Sequence, residues 1–210
     1  MRALGELAND PEAMKKFGST MVLWDFHART PRQVFEAPGV PLEIRRARGP
    51  ENNCAFTTTA LTSEIWLIHQ NDAGEWRAEK VGEVGDPSKL PLPVDISPSA
   101  DDSTLIVDSF LDGMTRICDV TDPFAPKLIH EEEIGSQVNM VSRSWDGERL
   151  YCTASLLANW DETGEENEQF LKAHFRDGET LTPRFEIDFL AEELGRPHLM
   201  RFGSAELYVN

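Results

Sequence analysis

The sequence predicts an all-β protein, a β-propeller of about four blade equivalents with a short helical insertion. Two segments, "PVDISPSADDSTLIVDS" (93–109) and "VNMVSRSWDGERLYCTA" (138–154), match each other at a shift of 45 residues. A third, "PLEIRRARGPENNCAFTTT" (41–59), matches the first at a shift of 52 residues. Each segment has the composition of a strand, a polar turn and a second strand. Strand sets that recur at this spacing are typical of propeller blades. The alternative is a β-sandwich in which the similarity is accidental.

The segments between these repeats have the composition of outer strand pairs. The turns at Asn71–Gly74 and Thr121–Pro123 contain Asn, Asp, Gly and Pro, which favour tight reversals of the chain. In chain order the pairs are "MVLWDFHARTPRQVFEAP" (21–38), "SEIWLIHQNDAGEWRAEKVGEV" (63–84), "MTRICDVTDPFAPKLIHEEEI" (114–134) and "TPRFEIDFLAEE" (182–193).

The order of these pairs predicts how the blades are divided along the chain. "PHLMRFGSAELYV" (197–209) resembles a fourth inner pair, so we expect an outer pair, three full blades and a final inner pair. We expect the arc to be part of a larger ring, since propellers hold about 4–8 blades; the alternative is a minimal ring, in which the outer pair and the final inner pair complete one blade together. Residues 1–15 are then a lead-in and 16–210 the propeller domain. Residues 156–178 are predicted to be an insertion, helical over 168–175, that acts as a lid or carries function.

The charge of the chain argues against two classes of partner. There are 20 Lys and Arg residues and 37 Asp and Glu residues, which gives a net charge of −17. A strongly acidic protein repels phosphate backbones and anionic lipid head groups. We therefore expect neither nucleic acid nor a membrane surface as a partner.

The cysteines and the N-terminal sequence predict a cytoplasmic location. Cys54, Cys118 and Cys152 are far apart, form no C-x-x-C pair and lie in strand-like stretches. Free Cys in such stretches behaves mostly as a small buried hydrophobe, although a redox or metal role is the alternative. The N-terminal residues lack the apolar region of a secretory signal.

Six stretches of the chain resemble the selenium-binding protein / methanethiol oxidase family. The similarity covers about residues 14–210. The stretches are "KFGSTMVLWDFHAR" (16–29), "GVPLEIR" (39–45), "GEWRAEKV" (74–81), "CDVTDPFAPKL" (118–128), "WDGERLYCTASLLANWDE" (145–162) and "PHLMRF" (197–202).

This resemblance implies a fold and an activity. It implies the C-terminal half of a seven-bladed propeller and, as in bacterial members, copper-dependent oxidation of methanethiol to formaldehyde, hydrogen sulfide and hydrogen peroxide. The implied substrate is a small thiol. The family's cysteine motif and most of its clustered histidines belong to the N-terminal half and do not occur in these residues. We therefore do not expect selenium binding, and we expect copper catalysis to need an N-terminal-half polypeptide.

His198 is the candidate metal ligand that the resemblance implies. The family motif is Ala-His-Glu-Leu-Arg, whose His is a proposed copper ligand, and the corresponding stretch here is Pro197-His198-Leu199-Met200-Arg201. A neutral imidazole suits copper but needs further ligands. The alternative is a hydrogen-bonded His that faces the channel. We expect the other histidines to face solvent; they are His27, His69, His130 and His174.

Polar residues are also predicted at the inner-strand positions that line the axis of a propeller. Converging carboxylates there would bind a cation or water, or would cap the channel structurally, and an arginine would pair with them. These channel-lining candidates are Glu43, Asp95, Asn139 or Met140, Arg45 and Arg201.

The second functional hypothesis is a non-catalytic propeller that acts as a binding or assembly module. The outer pair at the start and the inner pair at the end would leave unpaired strand edges, which invite association. A homodimer or a complex with an N-terminal-half polypeptide would cover them.

Overall fold

The computed structural model describes residues 12, 17–49, 52–154, 168–178, 180–200 and 202. Strands account for nearly all of the regular structure, and a single 3₁₀ turn lies at Pro87–Lys89 in this part of the chain. The first six strands are β1 (Thr20–Asp25), β2 (Thr30–Glu36), β3 (Pro41–Arg46), β4 (Cys54–Thr59), β5 (Glu64–Gln70) and β6 (Trp76–Glu83). The next four are β7 (Pro93–Pro98), β8 (Thr104–Ser109), β9 (Met114–Asp119) and β10 (Lys127–Glu133). The last four are β11 (Val138–Arg143), β12 (Arg149–Ala154), β13 (Phe170–Asp177) and β14 (Thr180–Asp188).

These strands form three antiparallel four-stranded blades and one strand pair, which confirms the predicted propeller architecture. Blade 1 is β3-β4-β5-β6, blade 2 is β7-β8-β9-β10 and blade 3 is β11-β12-β13-β14, while β1 and β2 form a separate pair. The inner strand β7 packs against β3 on one side and against β11 on the other. The blades therefore lie side by side in an arc, with β3, β7 and β11 along its inner edge.

Each inner strand has an irregularity at the same place. The pairing register shifts between Pro41 and Ile44 in β3, between Pro93 and Asp95 in β7, and between Val138 and Met140 in β11. A bulge re-aims the side chains that follow it. The sequence repeat thus reproduces both the strands and the bulge that sets which residues face the axis.

Blade 2 lies between two apolar layers. One layer, between blades 1 and 2, consists of Phe56, Ile65, Leu67, Val84, Ile96, Leu105, Val107, Cys118 and Val120. The other, between blades 2 and 3, consists of Ile106, Ile117, Ile134, Val138, Val141, Leu150, Cys152, Ala154, Phe170 and Leu181. Alternate residues of β8 face opposite layers, and all six are buried. Each large aliphatic side chain buried in this way stabilises the fold by about 1.5–3 kcal/mol.

The β1–β2 pair packs against blade 1. Met21, Ala37 and Ile68 form a small buried cluster between them. Gln33 Nε2 donates a hydrogen bond to the carbonyl oxygen of Trp76, at a distance of 2.7 Å. The opposite face of this pair is exposed, so its apolar side chains are free to contact another surface.

The predicted helix in the insertion is wrong, because residues 170–177 form the strand β13. This strand pairs with β12 on one side and with β14 on the other, so two ladders of hydrogen bonds override its local helical spacing. His174 lies on this strand and is only 4% exposed, which corrects the expectation that it faces solvent. Burial lowers the pKa of His174. Of the predicted insertion, residues 156–167 lie outside the described residues.

The predicted fourth inner pair is only partly described. Residues 197–200 have no regular structure, and 201 and 203–210 lie outside the described residues. In the described part of the chain, no helix has the length and apolar character needed to cross a membrane.

Replacing Gly113 with alanine is expected to lower the free energy of unfolding by about 2–3 kcal/mol. Gly113 has φ +67°, and a Cβ atom there would lie 2.5 Å from the carbonyl oxygen of Gly135. Backbone cannot move as easily as a side chain, so the contact adds to the cost of positive φ. Urea denaturation followed by circular dichroism measures the change. Gly74→Ala is the control, because Gly74 has φ +78° but open space around it; equal losses in the two variants would contradict the steric argument.

Candidate functional site

Asp95 joins the inner strands of three blades at the inner edge of the arc. Its Oδ1 lies 3.3 Å from Nη2 of Arg45 in β3, and its Oδ2 accepts a hydrogen bond of 2.9 Å from the backbone N–H of Val141 in β11. Arg45 also forms an ion pair with Glu43. The structure therefore brings Glu43, Asp95 and Arg45 together, with the arginine shared between the two carboxylates.

Burial dominates the electrostatics of Asp95. Its side chain is 0% exposed, and the loss of hydration raises its pKa to about 6. The Val141 N–H and the positive charge of Arg45 act in the opposite direction, and the charge of Glu43 adds to the rise. A carboxyl group with this pKa changes its charge near neutral pH, which is a property of groups that take part in proton transfer or ion binding.

Asp108 lies opposite Asp95 and is a second buried carboxyl group. The two residues are direct cross-strand partners in β7 and β8. Thr115 donates a hydrogen bond of 2.7 Å to Oδ1 of Asp108, and Oδ2 has no partner. Burial raises the pKa of Asp108 to about 8, and the negative charge of Asp95 contributes to the rise. Asp108 is therefore protonated at neutral pH and available as a hydrogen-bond donor.

Further buried polar atoms near the inner edge lack partners. Asn139 follows Val138 at the β11 bulge and is 0% exposed, and neither its side-chain oxygen nor its nitrogen is hydrogen-bonded. The hydroxyl of Thr58, which occupies in blade 1 the place of Asp108 in blade 2, is also unpaired. Buried polar groups normally have partners. The inner edge thus holds unused hydrogen-bonding capacity on all three inner hairpins.

Sequence reasoning identified Asp95 as a candidate but missed Asp108. The available signal was its place in the sequence: Asp108 directly follows the apolar run Leu105–Val107. The other two repeats have a threonine at this position, Thr58 and Thr153. A single acid at a strand end is usually exposed, and its burial here depends on blade 3 covering β8. Only the packing of the blades reveals this.

His198 lies on the side of blade 3 that faces away from blade 2. The hydroxyl of Thr153 donates a hydrogen bond of 2.6 Å to the carbonyl oxygen of His198, and the Ser142 hydroxyl donates to that of Met200. The His198 side chain is exposed. Among the described residues, no group of three or more His, Cys, Asp or Glu side chains is close enough to hold a metal ion. The structure therefore leaves His198 as a single exposed imidazole, and Arg201 lies outside the described residues.

The three thiols are protected. All three are free, with Cys118 and Cys152 buried and Cys54 partly buried. Burial raises the pKa of Cys118 to about 11, and burial raises that of Cys152 well above its usual value. Because the thiolate is the reactive form, these two cysteines act as buried apolar residues.

Comparison with known proteins places the chain in a family. A family model described as "56kDa selenium binding protein (SBP56)" matches residues 6–206. The chain is 54% identical to the methanethiol oxidase of Ruegeria pomeroyi over 99% of its own length and 48% of that protein. It is 52% identical to the methanethiol oxidase of a Hyphomicrobium species, over 100% of its own length and 49% of that protein. It is 30% identical to the human methanethiol oxidase, over 85% of its own length and 48% of that protein.

Solved structures agree on the fold. The structure of a hypothetical selenium-binding protein from Sulfolobus tokodaii is similar with a TM-score of 0.76 and 26% identity, over 86% of this chain and 49% of that one. The Cps50 (Swd1) β-propeller domain of Myceliophteria thermophila is similar with a TM-score of 0.60 and 12% identity, over 83% of this chain and 53% of that one. The chain spans about half the length of the curated relatives that it matches. It belongs to the 56 kDa selenium-binding protein family, whose curated relatives include proteins named methanethiol oxidase.

Proposed function

We propose that the chain supplies propeller blades to a methanethiol oxidase. The observation that carries this proposal is its 54% identity to the Ruegeria pomeroyi enzyme, which extends over 99% of the chain. Identity at this level over three complete blades supports a shared role, whereas a propeller fold alone supports many functions. The three free thiols agree with a cytoplasmic location, which we also propose.

The proposed reaction oxidises methanethiol with dioxygen and water. One molecule each of methanethiol, dioxygen and water yields one molecule each of formaldehyde, hydrogen sulfide and hydrogen peroxide. Bound copper would supply the redox chemistry. The described residues of this chain do not fit a complete copper centre, since they offer His198 and no neighbouring cluster of ligands. His198 is therefore proposed as one ligand among others that a second polypeptide segment contributes.

The role of the chain itself is then to hold His198 in place. The backbone around His198 is fixed to blade 3 at two points, by the hydroxyl groups of Thr153 and Ser142. Blade 3 is in turn joined to blade 2 by the buried Asp95–Val141 hydrogen bond. A ligand anchored in this way loses little conformational freedom when it binds a metal.

Both ends of the arc expose apolar side chains that a partner would cover. On the β1–β2 pair, Val22, Trp24 and Val34 are 49%, 55% and 58% exposed. At the far end, Phe185 and Leu194 are 51% and 59% exposed. Exposed apolar patches of this kind mark interaction surfaces. We propose that an N-terminal-half polypeptide of the family covers both ends; a second copy of this chain is the alternative partner.

His198→Ala is expected to abolish most copper binding by the assembled protein. The experiment mixes the purified chain with an N-terminal-half polypeptide of the family, then measures copper content together with methanethiol consumption and peroxide release. Wild-type chain is expected to raise all three above the level of either half alone. His27→Ala is the matched control, because His27 is exposed on the turn after β1, distant from blade 3 in the arc. Unchanged copper content in His198→Ala would remove the ligand role.

The second candidate function is a non-catalytic assembly module, and the exposed apolar ends of the arc favour it. The same experiment separates the two. If the chain associates with its partner but the complex neither binds copper nor releases peroxide, the assembly role stands and the oxidase role fails.

A further inference from the structure

The turns of neighbouring blades contact each other through a carboxylate between blades 1 and 2. Oδ1 of Asp102, in the β7–β8 turn, accepts a hydrogen bond of 2.7 Å from the backbone N–H of Arg48. Its Oδ2 accepts hydrogen bonds of 2.7 Å from the Gly49 N–H and from Nδ2 of Asn52. An anion therefore fills the space between these two turns and is held by three donors.

The next pair of blades lacks this carboxylate. The repeat shift of 45 residues places Gly147 of the β11–β12 turn at the position of Asp102. The two residues share the left-handed backbone conformation, with φ +57° and +75°. A Cβ atom built on Gly147 would meet nothing within 4 Å. Between the two turns there is instead a cavity of about 530 Å³, a size in the range of small-molecule sites.

Two arginines line this cavity, and their guanidinium groups retain unused hydrogen-bonding capacity. Arg143 ends β11 and Arg176 lies on β13. Nη1 and Nη2 of Arg143 donate to Oγ1 of Thr104, at 3.1 and 3.0 Å, and Nε of each arginine is buried with no partner. Across the residues that the structure describes, neither guanidinium forms an ion pair. Burial lowers the pKa of Arg143 to about 10; the positive charge of Arg176 contributes, and the negative charge of Asp101 acts in the opposite direction.

The carboxylates around the cavity have other partners or lie at its rim. Asp101 accepts hydrogen bonds from the backbone N–H and the hydroxyl of Ser103, at 3.1 and 2.8 Å. Asp146 accepts from the Glu148 N–H at 3.0 Å and pairs with Arg149 at 2.9 Å. The remaining two lining acids are exposed; they are Glu148 and Asp177. The two guanidinium groups are therefore the cavity's hydrogen-bond donors that no carboxylate of the described residues pairs with directly, although the charge of Asp101 also acts on Arg143.

We propose that this cavity binds a small oxyanion, with its carboxylate, sulfate or phosphate group between Arg143 and Arg176. The anion would occupy the space that a carboxylate fills one blade earlier. Planar guanidinium groups match the oxygen geometry of all three anions and bind them with paired hydrogen bonds. The exposed Trp145 and Phe175 form part of the wall, so an organic acid with an apolar body also fits. This site is separate from His198 and does not depend on the proposed oxidase function.

The test titrates inorganic phosphate, sulfate and acetate into the purified 210-residue chain at constant ionic strength, by calorimetry. At least one anion is expected to bind with one-to-one stoichiometry, and the preferred anion identifies the chemical class. Arg176→Gln and Arg143→Gln are each expected to weaken binding about tenfold or more. Among the described residues the Arg176 side chain forms neither an ion pair nor a hydrogen bond through its buried Nε, so its variant is expected to fold even if Arg143→Gln does not.

Two further variants make the result specific. Gly147→Asp is expected to abolish anion binding, because it restores the carboxylate that Asp102 supplies one blade earlier. Arg77→Gln is the matched control: it removes the same charge from an exposed position on β6, where Arg77 pairs with Glu75, and is expected to bind like wild type. Failure of all three anions to bind below about 10 mM, or equal weakening by Arg77→Gln, would overturn the proposal.

Discussion

Asp108→Asn is expected to remove a pH dependence of stability worth about 1.4 kcal/mol per pH unit between pH 5 and 8. The pKa of Asp108 is raised from its ordinary value of 3.8 to about 8 in the folded protein. Between these two pH values, the folded state therefore holds one proton more on Asp108 than the unfolded chain does. Stability from this group is therefore largest at low pH and falls as the pH rises toward 8. Asparagine stays neutral throughout and retains an oxygen that can accept the hydrogen bond from Thr115.

The measurement is urea denaturation of both proteins at pH 5, 6, 7 and 8. The difference between the two free energies of unfolding removes the contribution of His174, which is common to both proteins: its pKa is lowered by burial, so it destabilises the fold as the pH falls. Asp95 faces Asp108 and has a pKa raised to about 6, so the interval from pH 7 to pH 8, above that value, reports mainly Asp108. Asp119→Asn is the control: the pKa of Asp119 is lowered, so its contribution changes only below the usual carboxyl range. Parallel curves for wild type and Asp108→Asn would show that Asp108 is ionised in the folded protein.

The repeat in the sequence was sufficient to predict the blades. Turn residues and strand composition recur at 45 and 52 residues, so local signals and long-range order agree. The one wrong element, the helix at 168–175, had ambiguous local spacing. Its strand state depends on pairing with β12, which ends at Ala154, and with β14, which begins at Thr180. A local pattern cannot report that pairing.

The candidate site was predicted less completely, for a different physical reason. Asp95 and Arg45 could be found because the repeat places them on inner strands. The burial of Asp108, the unpaired Asn139 and the cavity beside Gly147 all arise from contacts between blades. The sequence repeat describes each blade separately, and these contacts depend on how the blades differ.

Asp95→Ala is expected to lower the free energy of unfolding by about 3 kcal/mol at pH 7. The change removes the acceptor of the buried Val141 N–H and one of the two carboxylates around Arg45. Arg45 keeps its ion pair with Glu43, so most of the loss is expected from the unpaired N–H and from the broken link between blades 2 and 3. Urea denaturation followed by tryptophan fluorescence measures the change.

Asp95→Asn tests which property of Asp95 matters. It keeps an oxygen for the Val141 N–H but removes the charge that burial opposes, so stability is expected to stay within about 1 kcal/mol of wild type at pH 7. Hydrogen exchange of the Val141 amide adds a local measurement: fast exchange is expected in the alanine variant and slow exchange in the asparagine variant. If both variants lose the same stability, the ion pair with Arg45, rather than the hydrogen bond across the blades, is the link that holds the inner strands together.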